Sequence, residues 1–280
     1  MTVMTLIPAR LPMGAWIGIA IIALALAAVL FAPWLAPFDE AELVGAVWES
    51  PSWAHPFGTD HLGRDMLTRL IFGGRTTISI ALVATCLAFL LGVVGGFSAA
   101  ILGRAADAVL SRLVDVLMGV PVLIFALMVL SVLGTSIPVL IGTTAVLEAT
   151  RVFRLARAVA MGITALDYVE IAKLRGESLL WIIGREVLPN ALSPLIAEFG
   201  LRFCFIFLFI ASLSFLGLGI QPPYADWGSM VRENAQAINF GGYAPLFPAG
   251  AIAALTIGVN LVVDWVLALQ AGPNAGGTEY

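Results

Sequence analysis

The sequence predicts an all-α integral membrane protein of six transmembrane helices with both termini in the cytoplasm. Three observations predict it. Hydrophobic residues make up 60% of the 280 and charged residues only 11%, against about 25% charged in an average soluble domain. The apolar residues fall in long runs, near the ~20 residues a helix needs to cross a ~30 Å hydrocarbon core. The runs mix Leu, Ile, Val, Ala, Phe and Gly without the dyad alternation of an outer-membrane barrel. Such an apolar excess is more than one core can shelter, which excludes a soluble enzyme and a disordered chain. Nucleic acid is excluded as a partner by the net charge of -4, with Lys173 the one Lys among 14 basic residues. Cys86 and Cys204 both lie in apolar runs and read as small buried hydrophobes, not as a disulfide framework.

The first span is the charge-free run Ala15–Ala36. It is longer than the ~7–15 residues of a signal-peptide core, so an uncleaved anchor is expected. The second is Thr76–Leu102. Between Asp115 and Glu148 no charge occurs, and Gly134-Thr135-Ser136-Ile137-Pro138 breaks that stretch into a third span, about 113–133, and a fourth, about 137–160. The fourth carries Glu148, Arg151 and Arg154, so neighbouring helices must shield it from lipid. The fifth, Ala191–Leu218, holds Glu198 and Arg202, and the sixth, Leu246–Leu269, holds Asp264 near its end.

Basic residues orient the chain. Arg10, Arg104, Arg112, Arg151, Arg154, Arg157, Lys173, Arg175 and Arg185 fall on one side; Arg64, Arg69, Arg75 and Arg232 fall on the other. The richer side is cytoplasmic. Three regions result: residues 1–75, an anchor helix with an outer segment; residues 76–270, a five-helix core; and 271–280, a short tail. Two connections, 37–75 and 219–245, lie outside. The cytoplasmic stretch 161–190 is the most polar part of the chain, yet its Ile171, Leu174, Leu179, Leu180, Ile182 and Ile183 suggest short amphipathic helices able to dock in a partner's groove. The plainer alternative is an interfacial loop.

That stretch carries a resemblance. Tyr168-Val169-Glu170-Ile171-Ala172, then Gly176, then Val187-Leu188-Pro189-Asn190, resembles the cytoplasmic signature of binding-protein-dependent ABC importer permeases. Glu170, Ala172, Gly176, Leu188 and Pro189 are in register; Ile171 replaces the middle Ala, and Glu186 takes the variable position. His55 to Asp65, read as Gly58-Thr59-Asp60, two residues, Gly63-Arg64-Asp65, is similar to the motif of the C-type subunit in the dipeptide/oligopeptide/nickel subfamily. Phe72-Gly73-Gly74-Arg75, the spacing of Arg154 and Arg157, Ser214 to Gly219, Gln221-Pro222-Pro223 and Asp226-Trp227-Gly228 resemble the same group. The chain departs from it at its end, where Asn260, Leu261 and Asp264 survive but the basic-acidic tail is missing, and at Arg175, where a small or apolar residue is usual.

The resemblance implies the type I ABC importer permease fold in the inner membrane. It implies that Tyr168, Glu170, Ala172, Gly176, Leu188 and Pro189 couple the chain to a cytoplasmic ATPase. It further implies a homologous B-type permease as heterodimer partner, two ATP-binding subunits and an extracytoplasmic substrate-binding protein. Candidate docking residues for the last are Asp60, Gly63, Arg64, Asp65, Asp226 and Trp227, where the alternative is a folded cap. No cofactor is expected in this chain, because it contains no G-x-x-x-x-G-K-[ST] phosphate loop; ATP and Mg belong to partner subunits.

The residues themselves add candidates. Glu198 and Arg202 stand four apart on one helix face and Glu148 and Arg151 three apart, each an intramembrane ion pair that either lines a pathway or ties helices together. Arg154 and Arg157 read as snorkelling anchors at the inner edge. His55 and His61 lack metal-ligand spacing, so no metal site is expected. H-E-x-x-H and G-x-S-x-G are absent, against an intramembrane enzyme. The expected function is ATP-driven import of peptides or related small solutes; a nickel, metal-chelate or opine importer of the same family is the alternative, and a secondary transporter or channel using Glu148 or Glu198 a distant one.

Overall fold

The computed structural model describes residues 11–271. Arg10 and nearly all of the tail 271–280 lie outside the described residues. Helices α1 (Met13–Leu35), α2 (Met66–Ile101), α3 (Arg104–Met118), α4 (Val122–Leu133) and α5 (Ile137–Thr164) are followed by short α6 (Asp167–Leu174) and α7 (Leu179–Ile182). A π-helical turn, Ile183–Val187, leads into α8 (Leu188–Phe215). Then come α9 (Trp227–Asn234), a 3₁₀ turn Ala235–Phe240 and α10 (Leu246–Ala271). Among the described residues the β pairing is limited to isolated bridges, Leu43 with Arg64 and Thr59 with Asp65.

Among the described residues, four helical runs are long and apolar enough to cross a membrane: Met13–Leu35, Met66–Ile101, Leu179–Phe215 and Leu246–Leu269. The α3–α4 pair makes a fifth if counted as one bent span. Helix α5 is 28 residues long but is interrupted by Glu148, Arg151, Arg154 and Arg157.

The structure corrects three boundaries. The expected third span is not one rod from 113 to 133: α3 and α4 meet at an 85° bend. Pro121 has no N–H to donate and forces Val120 away from helical backbone, so the helix cannot pass Gly119-Val120-Pro121. Helix α2 starts at Met66, not Thr76, because the charges of Arg69 and Arg75 did not stop it; Arg69 is buried against a carboxylate. The fifth helix does not begin at Ala191: α7, the π turn and α8 form one unbroken run from Leu179 to Phe215 that passes through Pro189. The wider π turn directly before the proline takes up its missing donor.

Two compact units are present. Of the described residues, the first contains 11–82, 135–137 and 203–271. In it α1 packs on α10 through glycines. A Cβ on Gly18 would stand 2.6 Å from the Gly258 carbonyl oxygen, and one on Gly258 would stand 2.8 Å from Ile21. Small residues at this crossing let the two backbones approach, as in membrane helix pairs generally.

The second unit contains residues 83–134 and 138–202. Its core joins the end of α2, the second half of α5, α6, α7 and the start of α8: Phe97, Ala156, Ala160, Ile163, Val169, Ala172, Ile182, Val187, Ala191 and Leu195 are all buried together.

Candidate functional site

The segment after α5 is a folded helix pair, not a loop. Asp167 and Glu170 occupy the first turn of α6 and Lys173 its last turn, which suits the helix dipole at both ends. The helix stops in a Schellman cap: Gly176 N–H donates to Lys173 O at 3.0 Å and Glu177 N–H to Ala172 O at 3.2 Å. That cap requires left-handed backbone, and Gly176 has φ +78°. A side chain there is strained even though no atom lies within 4 Å of its Cβ position. Ser178 then caps α7 by accepting the Trp181 N–H at 3.3 Å.

The signature residues divide by face. Val169 and Ala172 are fully buried and Val187 sits beneath them, so the small Ala lets α6 lie flat on α5. Tyr168, Glu170, Ile171, Leu174 and Gly176 are exposed, as are Leu179, Leu180, Leu188 and Pro189. Leu174 and Leu180 are each 82% exposed, an apolar face with no partner among the described residues. Asn190 Nδ2 donates to Tyr168 Oη at 3.2 Å and to Glu186 O at 2.7 Å, tying α8 back to α6. The Arg175 guanidinium lies 6.0 Å over the Trp181 ring.

Within the second unit, three charged groups share one site between α5 and α8. Arg202 Nη1 donates to Glu148 Oε2 at 3.0 Å, and Arg202 Nε is 2.7 Å from Glu198 Oε1. Glu148 and Arg202 are buried. The expected Glu198–Arg202 pair is present. Arg202 also reaches across from the facing helix to Glu148, an inter-helix pair that the spacing within either helix does not announce. Arg154 and Arg157 are not plain snorkelling anchors: Arg154 pairs with Asp115 and Arg157 with Asp107, both on α3.

In the first unit, the connections 37–75 and 219–245 form one cap. Asp60 is its centre. Asp60 Oδ1 accepts the Leu62 and Arg64 N–H groups at 2.8 and 2.9 Å, and Oδ2 takes Arg64 Nε at 2.7 Å and Arg69 Nη1 at 2.8 Å. Glu233 stands behind the same arginines, 3.5 Å from Arg69 Nη2 and 3.8 Å from Arg64 Nη2. Gly63 has φ +85° and faces the Gly45 carbonyl where a Cβ would go. Asp65 starts α2, accepting the Thr68 N–H at 2.8 Å, and its other oxygen is 3.0 Å from His55 Nδ1. Asn234 Oδ1 accepts from the His61 backbone at 2.9 Å and from Trp48 Nε1 at 3.3 Å. His61 Nδ1 lies 3.8 Å from both Asp60 and Glu233.

The Asp226-Trp227-Gly228 motif is the other half of this cap. Asp226 caps α9 through the Gly228 and Ser229 N–H groups and also accepts Thr77 Oγ1 at 3.2 Å. Trp227 donates from Nε1 to Leu70 O at 2.8 Å. Its ring fills the space beside Gly73 and Gly74, where a Cβ on Gly74 would stand 2.7 Å from it. Gly228 leaves room for the Ala211 carbonyl. The Glu40 carboxylate accepts the Ala225 N–H, linking the first connection to the second. Burial pushes the carboxyl pKa of both Glu40 and Asp226 above the ordinary range, against the hydrogen bonds that hold them down.

This corrects the docking assignment. Asp60, Arg64, Asp65, Asp226 and Trp227 are buried and Gly63 serves a turn, so these residues build the cap and leave its surface to others. Sequence reading missed Arg69, Glu233 and Asn234, whose partners lie on distant segments. It also missed Asp107 and Asp115, although two acids about two turns apart on an amphipathic stretch match the paired arginines of α5.

Comparison with known proteins agrees with this geometry. Residues 88–271 match the family model described as binding-protein-dependent transport system inner membrane component. A putative peptide transport system permease protein of Brucella suis biovar 1 is 34% identical over 249 residues, covering 89% of this chain and 84% of the relative. A probable D,D-dipeptide transport system permease protein of Escherichia coli K12 is 34% identical over 260 residues, covering 92% of this chain and 87% of the relative. A crystal structure of an amino acid ABC transporter with histidines superposes with a TM-score of 0.55 at 19% identity, covering 73% of this chain and 94% of that one; it bears on the fold alone.

Proposed function

The chain belongs to the family of binding-protein-dependent transport system inner membrane components, and we propose that it is one permease half of an ATP-driven importer of short peptides. It is a multi-pass inner-membrane protein. In the proposed reading it spans the membrane six times in the type I arrangement: the four long apolar helices, the bent α3–α4 pair and α5. The charges of α5 are tolerated because each is held by a neighbouring helix or placed at an edge. Both termini and the segment 161–190 then face the cytoplasm.

The observation that carries the mechanism is the exposed face of α6 and α7. Ile171, Leu174 and Leu180 project outward beside Glu170 while Val169, Ala172 and Ile182 bury on α5. A helix pair welded to the membrane helices by one face and bare on the other is a rigid lug. The chain has no phosphate loop, so work must arrive from outside. A separate ATPase gripping this lug moves α5 and α8 with it. In this reading a B-type permease completes the pathway, two ATP-binding subunits carry ATP and Mg, and a binding protein delivers substrate to the outer cap. The peptide assignment rests on the relatives; D,D-dipeptides are one candidate within it.

The test is Glu170→Arg combined with Gly176→Val in the complete transporter. Inversion of charge on the exposed face and strain at the cap should cut co-purification of the ATPase subunits at least tenfold while the permease pair stays intact in the membrane. Undiminished ATPase binding together with undiminished uptake contradicts the assignment.

A further inference from the structure

Arg154 and Arg157 take no part in the helix pair or in the Glu148–Arg202 site, yet both are committed. Arg157 grips Asp107 with two arms: Nη2 lies 2.7 Å from Oδ2, and Nε donates to Oδ1. Ser111 Oγ steadies the same carboxylate at 3.2 Å. Arg154 Nη2 lies 2.7 Å from Asp115 Oδ1. The pairing order is antiparallel, so two points fix the direction of α3 against α5. The second pair is more than half exposed, 54% and 61%. It therefore adds little folding stability, and what it supplies is geometry.

Helix α3 is otherwise loosely held. None of its residues is buried. An apolar crevice of about 200 Å³, lined by Leu91, Leu110, Leu113, Val146 and Phe153 among others, lies beside it. Both of its ends are breaks. Gly103 has φ +94° with open space at its Cβ position, so the glycine serves the bend and not packing. The other end is the 85° turn at Gly119-Val120-Pro121. Beyond that turn α3 continues directly into α4. On the opposite side, α5 shares its core with the helix pair: Ala156 and Ala160, flanking Arg157, are fully buried with Val169 and Ala172.

We propose that the Arg157–Asp107 and Arg154–Asp115 pairs form a strut that makes α3 follow the helix pair, carrying its displacement to α4. The four residues are positioning residues for ATP-driven transport. The proposal rests on the reading of the helix pair as the ATPase contact. A rod hinged at both ends, with one face half-buried and no residue fully buried, moves with whatever grips it, and the two charge contacts are the directional grip the structure provides.

The experiment uses the complete transporter in nanodiscs, with Cys86 and Cys204 changed to Ala. Spin labels are placed at Val109→Cys on α3 and Met161→Cys on α5, both exposed. The strut predicts one narrow distance, the same without nucleotide and with ATP-vanadate trapped. Arg157→Asp alone, or Asp107→Arg alone, should broaden it, and the ATP hydrolysed per cycle should rise at least fivefold relative to uptake, with ATPase subunits still bound. Arg157→Asp with Asp107→Arg should restore the narrow distance. A wild-type distance that changes by more than about 5 Å, one helical turn, between the two states overturns the proposal. So do single reversals that leave the distribution as narrow as wild type. Loss of ATPase binding in Glu170→Arg/Gly176→Val tests the ATPase contact separately, and its failure leaves the distance result readable.

Discussion

Asp60→Asn is the sharpest test of the cap built on Asp60. Asn keeps an oxygen to accept the Leu62 and Arg64 N–H groups, so the turn survives, but the charge facing Arg64 Nε and Arg69 Nη1 at 2.7 and 2.8 Å is gone. Both arginines are buried, at 7% and 2% exposure, and neither can reach water without moving the start of α2. Removing one member of a buried ion pair costs about 3–5 kcal/mol, because the remaining charge is left uncompensated. Glu233, 3.5 Å from Arg69 and 3.8 Å from Arg64, recovers part of this and sets the expectation at the low end, about 3 kcal/mol. For a chain of this size that corresponds to a midpoint lowered by about 6–12 °C. The assay is heating of the detergent-solubilised protein followed by size exclusion of the fraction still monodisperse. A second arm, Asp60→Asn with Arg69→Gln, removes one stranded charge and should recover part of the loss. A single-variant shift below about 2 °C refutes the assignment of Asp60 as the charge that holds the cap.

Three further outcomes are expected. Trp227→Ala empties the space against Gly73 and Gly74 and should cost about 3–5 kcal/mol, read as an equally large loss in the same heating assay. Gly18→Leu drives a side chain into the Gly258 carbonyl and should separate α1 from α10; a cysteine pair across this crossing that cross-links in wild type should then fail to do so. The third concerns pH. Glu40 and Asp226 have raised folded-state pKa values, so between the ordinary carboxylate pKa and the raised one the folded state binds more protons than the unfolded. Stability therefore falls as pH rises through that window. Glu40→Gln, which can still accept the Ala225 N–H, should flatten the slope; an unchanged slope in Glu40→Gln/Asp226→Asn contradicts the assignment.

Elements built on apolar run length were legible in the sequence: α1, α2, α8 and α10 all lie on charge-free or nearly charge-free stretches. The cap of α6 was legible as well, since Gly176 punctuates an amphipathic run. What misled was charge taken as a boundary. Arg69 belongs inside α2 because Asp60 awaits it, and no local spacing reveals that. The bend between α3 and α4 was written in Gly119 and Pro121, but the apolar run through it concealed the break. The motif around Asp60 was visible as a pattern, yet its role was not: a run of charged residues reads as surface until the partners, Glu233 and Asn234, arrive from the other end of the chain. The Glu148–Arg202 pair was hidden for the same reason, a helix–helix contact that sequence separation conceals.

In the proposed function this chain forms a pathway but draws its work through the helix pair following α5. Uptake of labelled Ala-Ala, in L,L and D,D forms, into proteoliposomes measures it directly, comparing the permease pair alone with the full complex. Uptake is expected only with the ATPase subunits, hydrolysable ATP and the binding protein together. Accumulation driven by an ion or proton gradient in the permease pair alone contradicts the account.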